Sequence, residues 1–272
     1  MTHLSARNSP WQDCLESEIT VNSQPAVSVP QVDFFGNPVT FFTVQEPHER
    51  LEVTAFNRVR IRPRPTPHSD ASCNWEAARD VIASGRDAES LDAYQYVFES
   101  HYVRHEDELA HYASPSFTPG RPLIDAILDL TRRIHEEFIF DPQATTIETP
   151  PRELLKIRRG VCQDFAHFQI ACLRSLGLAA RYVSGYLLTT PPPGQPRMVG
   201  ADVSHAWLSV YCPGYGWLDV DPTNNLVVSD LHPTIAWGRD YDDVSPIKGV
   251  VLGGGNHTVS VSVDVIAEPD PL

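Results

Sequence analysis

Hydrophobic and polar positions change rhythm twice along this chain. From Glu16 to about Arg64 the residues are β-branched and extended, in the runs SEITV, PQVDFFGNPVTFFTVQE and ERLEVTAFNRVRIRP. Leu51, Val53, Ala55 and then Val59 and Ile61 alternate with polar neighbours, the period of half-buried strands, and Gly36-Asn37-Pro38 is turn chemistry. These positions predict a small antiparallel β unit. PRPTPHSDAS (63–72) carries three prolines and no apolar period, so it reads as a linker. The domain boundary falls there, between residues 1–64 and residues 73–272.

After the linker the period becomes helical. Trp75, Ala78 and Ile82 mark one stretch, and Leu91, Tyr94 and Phe98 a second. The clearest helix follows Pro122, where Leu123, Ile127, Leu130, Ile134 and Phe138 form a continuous apolar stripe. A short helix is predicted with Thr149 as N-cap, Pro150 in its first turn and Leu154-Leu155 inward, ending near Gly160. The next, VCQDFAHFQIACLRSLG, points Ala166, Ile170 and Leu173 inward, carries Asp164 in its first turn and ends at Gly177. Cys162 therefore stands at a helix N-terminus. Strand-like runs follow at 180–189, 205–211 and 216–221, the last two joined by Pro213-Gly214-Tyr215-Gly216. Val259, Val261, Val263 and Val265 alternate with polar residues and predict a final strand.

Charge narrows the partners. Lys+Arg 21 against Asp+Glu 35 gives −14, and so acidic a surface repels phosphate backbones and anionic lipid heads. Nucleic acid and membrane are excluded as expected partners. No apolar run approaches the roughly 20 residues that span a bilayer, and MTHLSARNSPWQD lacks the order of a secretory signal, so a cytoplasmic location is expected. Five cysteines, Cys14, Cys73, Cys162, Cys172 and Cys212, are odd in number and form no C-x-x-C pair. Neither a disulfide framework nor a zinc knuckle follows.

A thiolate is the nucleophilic form of cysteine, and the positive end of a helix stabilises it. Cys162 has that position, and Arg158-Arg159-Gly160 adds charge and a flexible joint. Cys172, farther along the same helix, reads as a small core residue. His167 is the nearest histidine, but five residues turn a helix by about 500°, about 140° away from Cys162, so it is a poor base. His205 opens a strand, and Asp221 ends the next; the Pro-Gly turn would lay those strands antiparallel. Thiol, imidazole and carboxylate then supply the logic of a nucleophilic triad. Spacing alone leaves Asp219 and Asp221 equivalent.

The motifs GVCQDFAH (160–167), LRSLGLAARYVSGY (173–186), SHAWLSVY (204–211) and GWLDVDPTNN (216–225) resemble the core of the transglutaminase-like superfamily. The branch indicated is the bacterial one of transglutaminase-like enzymes and candidate cysteine proteases. The resemblance extends through AWGRDYDDVSPIKGV (236–250) and back through DFFGN (33–37), covering nearly the whole chain. It implies an α+β, papain-like transglutaminase core, helices packed on an antiparallel sheet, preceded by a small antiparallel β domain. It implies Cys162 as nucleophile, His205 of SHAW as base and Asp221 of DPT as orienting acid. Members of this branch also carry residues before the stretch matching 3–12. An N-terminally truncated sheet is therefore expected, with residues about 17–21 an unpaired edge.

Around that triad Asp164 is expected to cap its helix and, as a minor role, to bind a substrate amine. Trp207 is divided evenly between core and cleft wall, while Trp237, Arg239, Asp240 and Tyr241 are candidates to line the substrate site. His101, His105 and His111 lack a third ligand at helical spacing, so a solvated charged helix is expected there and no metal. Gly253-Gly254-Gly255 lacks the context of a phosphate cradle and reads as a hairpin-like loop. No cofactor is expected. The first oxyanion donor would be the Cys162 backbone N–H. The predicted function is cysteine-dependent acyl transfer at a peptide, isopeptide or glutamine amide through a thioester. Hydrolysis is favoured over transfer to a primary amine, because water is always present. The competing expectation is a transglutaminase-like binding or scaffold protein without turnover.

Overall fold

The computed structural model describes residues 1–188, 204–253 and 255–268. Strands β1 (Gln12–Val21), β2 (Val27–Val32), β3 (Pro38–Thr43) and β4 (Val53–Ile61) form two antiparallel pairs, β1 with β4 and β2 with β3. The turn before β3 is closed by Asp33, whose carboxylate accepts from the backbone N–H of Phe35 and Asn37 at 2.9 and 2.8 Å. Residues 17–21 are not an unpaired strand: Ser17 lies opposite Asn57 and Val21 opposite Val53. The partner comes from downstream, because alternating β4 offers a complementary ladder.

Helices α1 (Trp75–Ser84), α2 (Ala88–Tyr94), α3 (Asp107–Ala113) and α4 (Leu123–Glu137) follow. They are succeeded by β5 (Ile139–Phe140), α5 (Pro151–Ile157), β6 (Arg159–Gly160) and α6 (Cys162–Ser175). Then come β7 (Ala180–Tyr186), β8 (Ser204–Cys212), β9 (Gly216–Asp221), β10 (Leu226–Val227), β11 (Thr234–Gly238) and α7 (Tyr241–Val244). The last five strands make one antiparallel sheet in the order β10-β9-β8-β7-β11. The molecule is thus α+β, with helices packed on an antiparallel sheet.

α4 buries the predicted stripe, with Leu123, Ile127, Leu130 and Ile134 fully enclosed. α6 differs from its expected single inner face: every residue from Asp164 to Arg174 is buried. A helix enclosed on all sides belongs at the centre of a domain, and α6 sits between the β7–β8 face and α3 and α5. Its buried Arg174 donates to the carbonyls of Ala180, Phe98 and Arg239 and to Ser100 Oγ. One guanidinium thereby fastens the helix to three surrounding segments.

The N-terminal strands meet the sheet through side-chain amides. Gln12 donates to the Thr234 carbonyl and accepts from its N–H, at 2.7 and 2.8 Å. Asn37 does the same at Trp237, at 2.8 and 2.9 Å. These amides satisfy β11, which is the sheet's edge, in the manner of a further strand.

Four local expectations change. Leu91 and Phe98 are exposed, and Ser90, Ala93 and Tyr96 face inward instead, because α2 stops at Tyr94 and a 3-10 turn over Gln95–Val97 shifts the phase. Pro150, not Thr149, occupies the cap of α5, a one-residue boundary difference. The His101–His111 segment becomes helical only at Asp107, and His105 hydrogen-bonds the Val97 carbonyl. The strand expected at 259–265 is reduced to a single bridge residue, Val263. Val259 and Val261 are exposed, so the alternating run buries no face there. Of the glycine loop, residue 254 lies outside the described residues. Among the described residues no helix is long and apolar enough to cross a membrane.

Candidate active site

Cys162 owes its place to the turn before α6. Arg158 adopts a left-handed conformation (φ 54°) that ends α5, and β6 then pairs with β5 in parallel. Gly160 packs so closely that a Cβ there would lie 2.7 Å from Asp164 Oδ2 and 2.8 Å from Leu154. Asp164 Oδ2 accepts from the Val161 N–H at 2.8 Å and from Thr145 Oγ1 at 2.6 Å. Burial pushes its carboxyl above the ordinary carboxylate range, and the bonds from Thr145 and Val161 oppose that rise. Cys162, half-buried, is the first residue of the 14-residue α6. Its backbone N–H has no partner within the helix, and it stands at the positive end of the helix dipole.

His205 stands near the start of β8, opposite Gly185 of β7. Its Nε2 lies 2.7 Å from Asp221 Oδ2, with both side chains buried. Asp221 Oδ1 also accepts from the N–H of Thr223 and Asn224, at 2.9 and 3.3 Å, and Oδ2 accepts from Asn224 Nδ2 at 2.7 Å. Burial would raise the Asp221 carboxyl; hydrogen bonds from His205, His232 and Asn224 and the charge of His205 overcome it and hold Asp221 well below the usual range. For His205 burial acts downward, while the bond and charge of Asp221 and those of Cys162 act upward and push it to about 10. The imidazole therefore carries its proton at neutral pH. With Nε2 turned to Asp221, Nδ1 is the atom left for the thiol.

The other cysteines differ. Cys172 and Cys212 are fully buried, and burial pushes both thiols upward, away from the reactive thiolate. Asp219, equivalent to Asp221 by spacing, pairs with Arg64 at 2.5 Å.

The remaining candidate residues are placed by their contacts. Trp207 is fully enclosed, its ring centre 6.1 Å from that of His205. Trp237 lies between two guanidiniums, Arg7 at 3.0 Å and Arg181 at 3.7 Å from its ring. Arg239 is exposed and forked onto Asp243, with contacts of 2.9 and 2.8 Å. Buried Asp240 caps α7 through the Asp242 N–H and also accepts from the Tyr102 N–H. The Tyr241 N–H donates to His167 Nε2 at 3.1 Å. Burial, opposed in part by Asp240, lowers His167 to about 4, so its ring is a neutral acceptor stacked on Tyr102. Tyr182 has its ring 4.8 Å from that of His167, and it is coupled electrostatically to Cys162. Beside the start of α6, a shallow cavity is lined by Pro142, Thr145, Ile147, Val161, Gln163 and Asp164.

Sequence reasoning named neither Asn224 nor His232. Asn224 had a local signal, since an Asx turn follows naturally from Asp-Pro-Thr-Asn. His232 had none: it lies in the irregular SDLHPTI segment and reaches Asp221 only through the fold, with Nε2 3.5 Å from Oδ2. The ligand atoms of His205, Asp221 and His232 lie within 4.8 Å of one another. The direct 2.7 Å contact between two of them is a charge-assisted hydrogen bond, and it leaves no room for a cation between those atoms.

Residues 111–222 match the family model described as the transglutaminase-like superfamily, and residues 1–60 that of the bacterial transglutaminase-like N-terminal region. An uncharacterized protein of Mycobacterium bovis is 41% identical over 271 residues, spanning 97% of this chain and 85% of the relative. A protein-glutamine gamma-glutamyltransferase of Pseudomonas aeruginosa is 36% identical over 126 residues, 44% of this chain but only 19% of that protein. The crystal structure of a candidate cysteine protease from Cytophaga hutchinsonii superimposes with a TM-score of 0.68 at 21% identity, covering 90% of this chain and 77% of that one.

Proposed function

Because the chain belongs to the transglutaminase-like superfamily, we propose that it is a cysteine-dependent enzyme that transfers the acyl group of a peptide, isopeptide or glutamine amide through a thioester. The observation that carries this reading is the buried His205–Asp221 pair at 2.7 Å, whose imidazole also interacts with the thiol of Cys162.

The steps follow from the protonation states. The Cys162 thiolate attacks the amide carbon, and the oxyanion that forms faces the Cys162 backbone N–H at the helix terminus. As the C–N bond breaks, the His205 imidazolium gives its Nδ1 proton to the departing amine, leaving a thioester and a neutral ring. Water or a primary amine then adds to the thioester. His205 removes its proton, the C–S bond breaks, and the cycle ends with thiolate and imidazolium restored. Asp221 stays ionised throughout and holds the ring by Nε2.

Hydrolysis is the favoured outcome, with peptide or protein amides as substrates. The shallow cavity beside Gln163 and Asp164 supports a subsite next to the nucleophile, and Arg239 and Asp240 lead into Tyr241 of α7, whose ring centre is 6.4 Å from that of Tyr182. Trp207 and Trp237 contribute as supports for that surface. Five free thiols support a reducing, cytoplasmic setting.

Limiting iodoacetamide followed by peptide mapping tests the reading. Cys162 should be labelled ahead of the other four thiols, and His205→Gln should remove the preference. Equal labelling of Cys162 and Cys73 in the native protein would overturn it. Assays for ammonia or amine release from amide peptides, with and without an added primary amine, then separate hydrolase from transferase.

A further inference from the structure

We propose that His232 is a positioning residue for the candidate catalytic carboxylate: its Nε2–H donates to the same Asp221 oxygen that His205 engages and keeps that carboxylate facing His205. This rests on the function proposed above and extends it to a residue in a different part of the chain.

The argument begins with burial. His232 is 1% exposed, and its ring packs edge-on to Trp207, 5.4 Å between centres, beside an apolar cluster containing Val183 and Val228. A phenyl or leucyl side chain would suit such surroundings. Among the described residues the imidazole instead leaves its Nδ1 without a partner, a cost to stability. Among the described residues its ring makes one hydrogen bond, to Asp221.

The backbone is also arranged to bring it there. Leu231 and Pro233 offer their carbonyls to the N–H groups of Leu188 and Tyr186, at 2.9 and 3.0 Å, so the segment continues along β7. It comes so near that a Cβ on Gly185 would stand 2.2 Å from the Pro233 carbonyl. Gly185 lies opposite His205 in the sheet; one missing side chain thus admits the loop next to the residue that it serves. At 3.5 Å the His232 contact is at the outer limit of a hydrogen bond, and catalytic contacts in free enzymes commonly shorten once substrate is bound.

Asp221 Oδ2 has three donors: His205, Asn224 and His232. Asn224 is local to Asp221, whereas His232 ties the carboxylate to the far side of the sheet. The titratable groups facing His205 among the described residues are Cys162 from α6, Asp221 from β9 and His232 itself.

The test uses the full chain, with ring titration of His205 by NMR on histidine-labelled protein and iodoacetamide labelling of Cys162 across pH 6–10. His232→Leu removes the donor, His232→Asn is too short to reach, and His232→Gln keeps an N–H at similar reach. The first two should lower the His205 midpoint by about one unit and slow Cys162 labelling at least about fivefold above pH 8. His232→Gln should restore both to within twofold of the native protein, at whatever melting temperature each variant has. An unmoved His205 midpoint in the Leu and Asn variants, or failure of Gln to restore it, would overturn the positioning role. Unselective labelling of native Cys162 would instead sink the proposed function. The NMR midpoints read the Asp221 contact in either event.

Discussion

Replacing Asp221 by Asn removes one charge while keeping the shape of the side chain, and the structure sets the size of the effect. His205 stands at about 10 against an ordinary 6.5. At about 1.4 kcal/mol per unit, that rise is worth roughly 5 kcal/mol of preference for the charged ring. Two unit charges 2.7 Å apart at an effective dielectric constant of about 20 attract by about 6 kcal/mol. The two figures agree in size, so the pairing with Asp221 is strong enough to offset burial and hold the ring charged, with the bond to Cys162 acting in the same direction. Without Asp221, burial pulls the ring down against Cys162 alone, and the midpoint should fall by about 3.5 units, to near 6.5. Ring nitrogen shifts of labelled histidine would measure this, with His205→Gln supplying the assignment. At pH 7.5 only about a tenth of the rings would then be charged. Loss of the imidazolium partner should slow iodoacetamide labelling of Cys162 at least about tenfold. A His205 midpoint that stays near 10 in Asp221→Asn would refute the electrostatic argument.

Other perturbations separate chemistry from architecture. Cys162→Ala, at a half-buried helix start, should abolish acyl transfer while shifting stability by less than about 0.5 kcal/mol in urea denaturation. Cys172→Ala, at a fully enclosed site, should cost about 1–2 kcal/mol and leave Cys162 labelling intact; the opposite pattern would reverse the two assignments. Gly185→Ala must displace both the Pro233 carbonyl and the Trp207 ring, 2.2 and 2.5 Å from the new Cβ. It should lose about 2–3 kcal/mol, and an unchanged urea midpoint would contradict that packing. Acid should destabilise through His167: its folded value is depressed to about 4, so its contribution is present above 6.5 and is lost as pH falls through about 4. His205 is raised, so its contribution is complete below 6.5 and disappears as pH rises through about 10. Urea midpoints from pH 4 to 10 should show both limbs, with His167→Gln flattening the first and His205→Gln the second.

What the sequence determined by itself was local and periodic. The stripe of α4, the hairpin pairing of β8 with β9 and the placement of Cys162 on the first turn of α6 follow from neighbours within a few residues, and chain geometry turns such spacing directly into structure. Motif resemblance also named His205 and Asp221. Periodicity misled where a neighbouring element changed the phase, as at Leu91 and Phe98, or where an alternating run stayed exposed instead of burying one face, as at Val259 and Val261. Only the tertiary structure decided that Arg64 takes Asp219 while His205 turns Nε2 to Asp221, that α6 is enclosed on every side, and that His232 reaches the same carboxylate. Those facts depend on burial and on contacts between residues far apart in the chain. Charge states such as that of His205 are set by the solvent the fold removes and the partners it brings together, quantities that exist only once the core has closed.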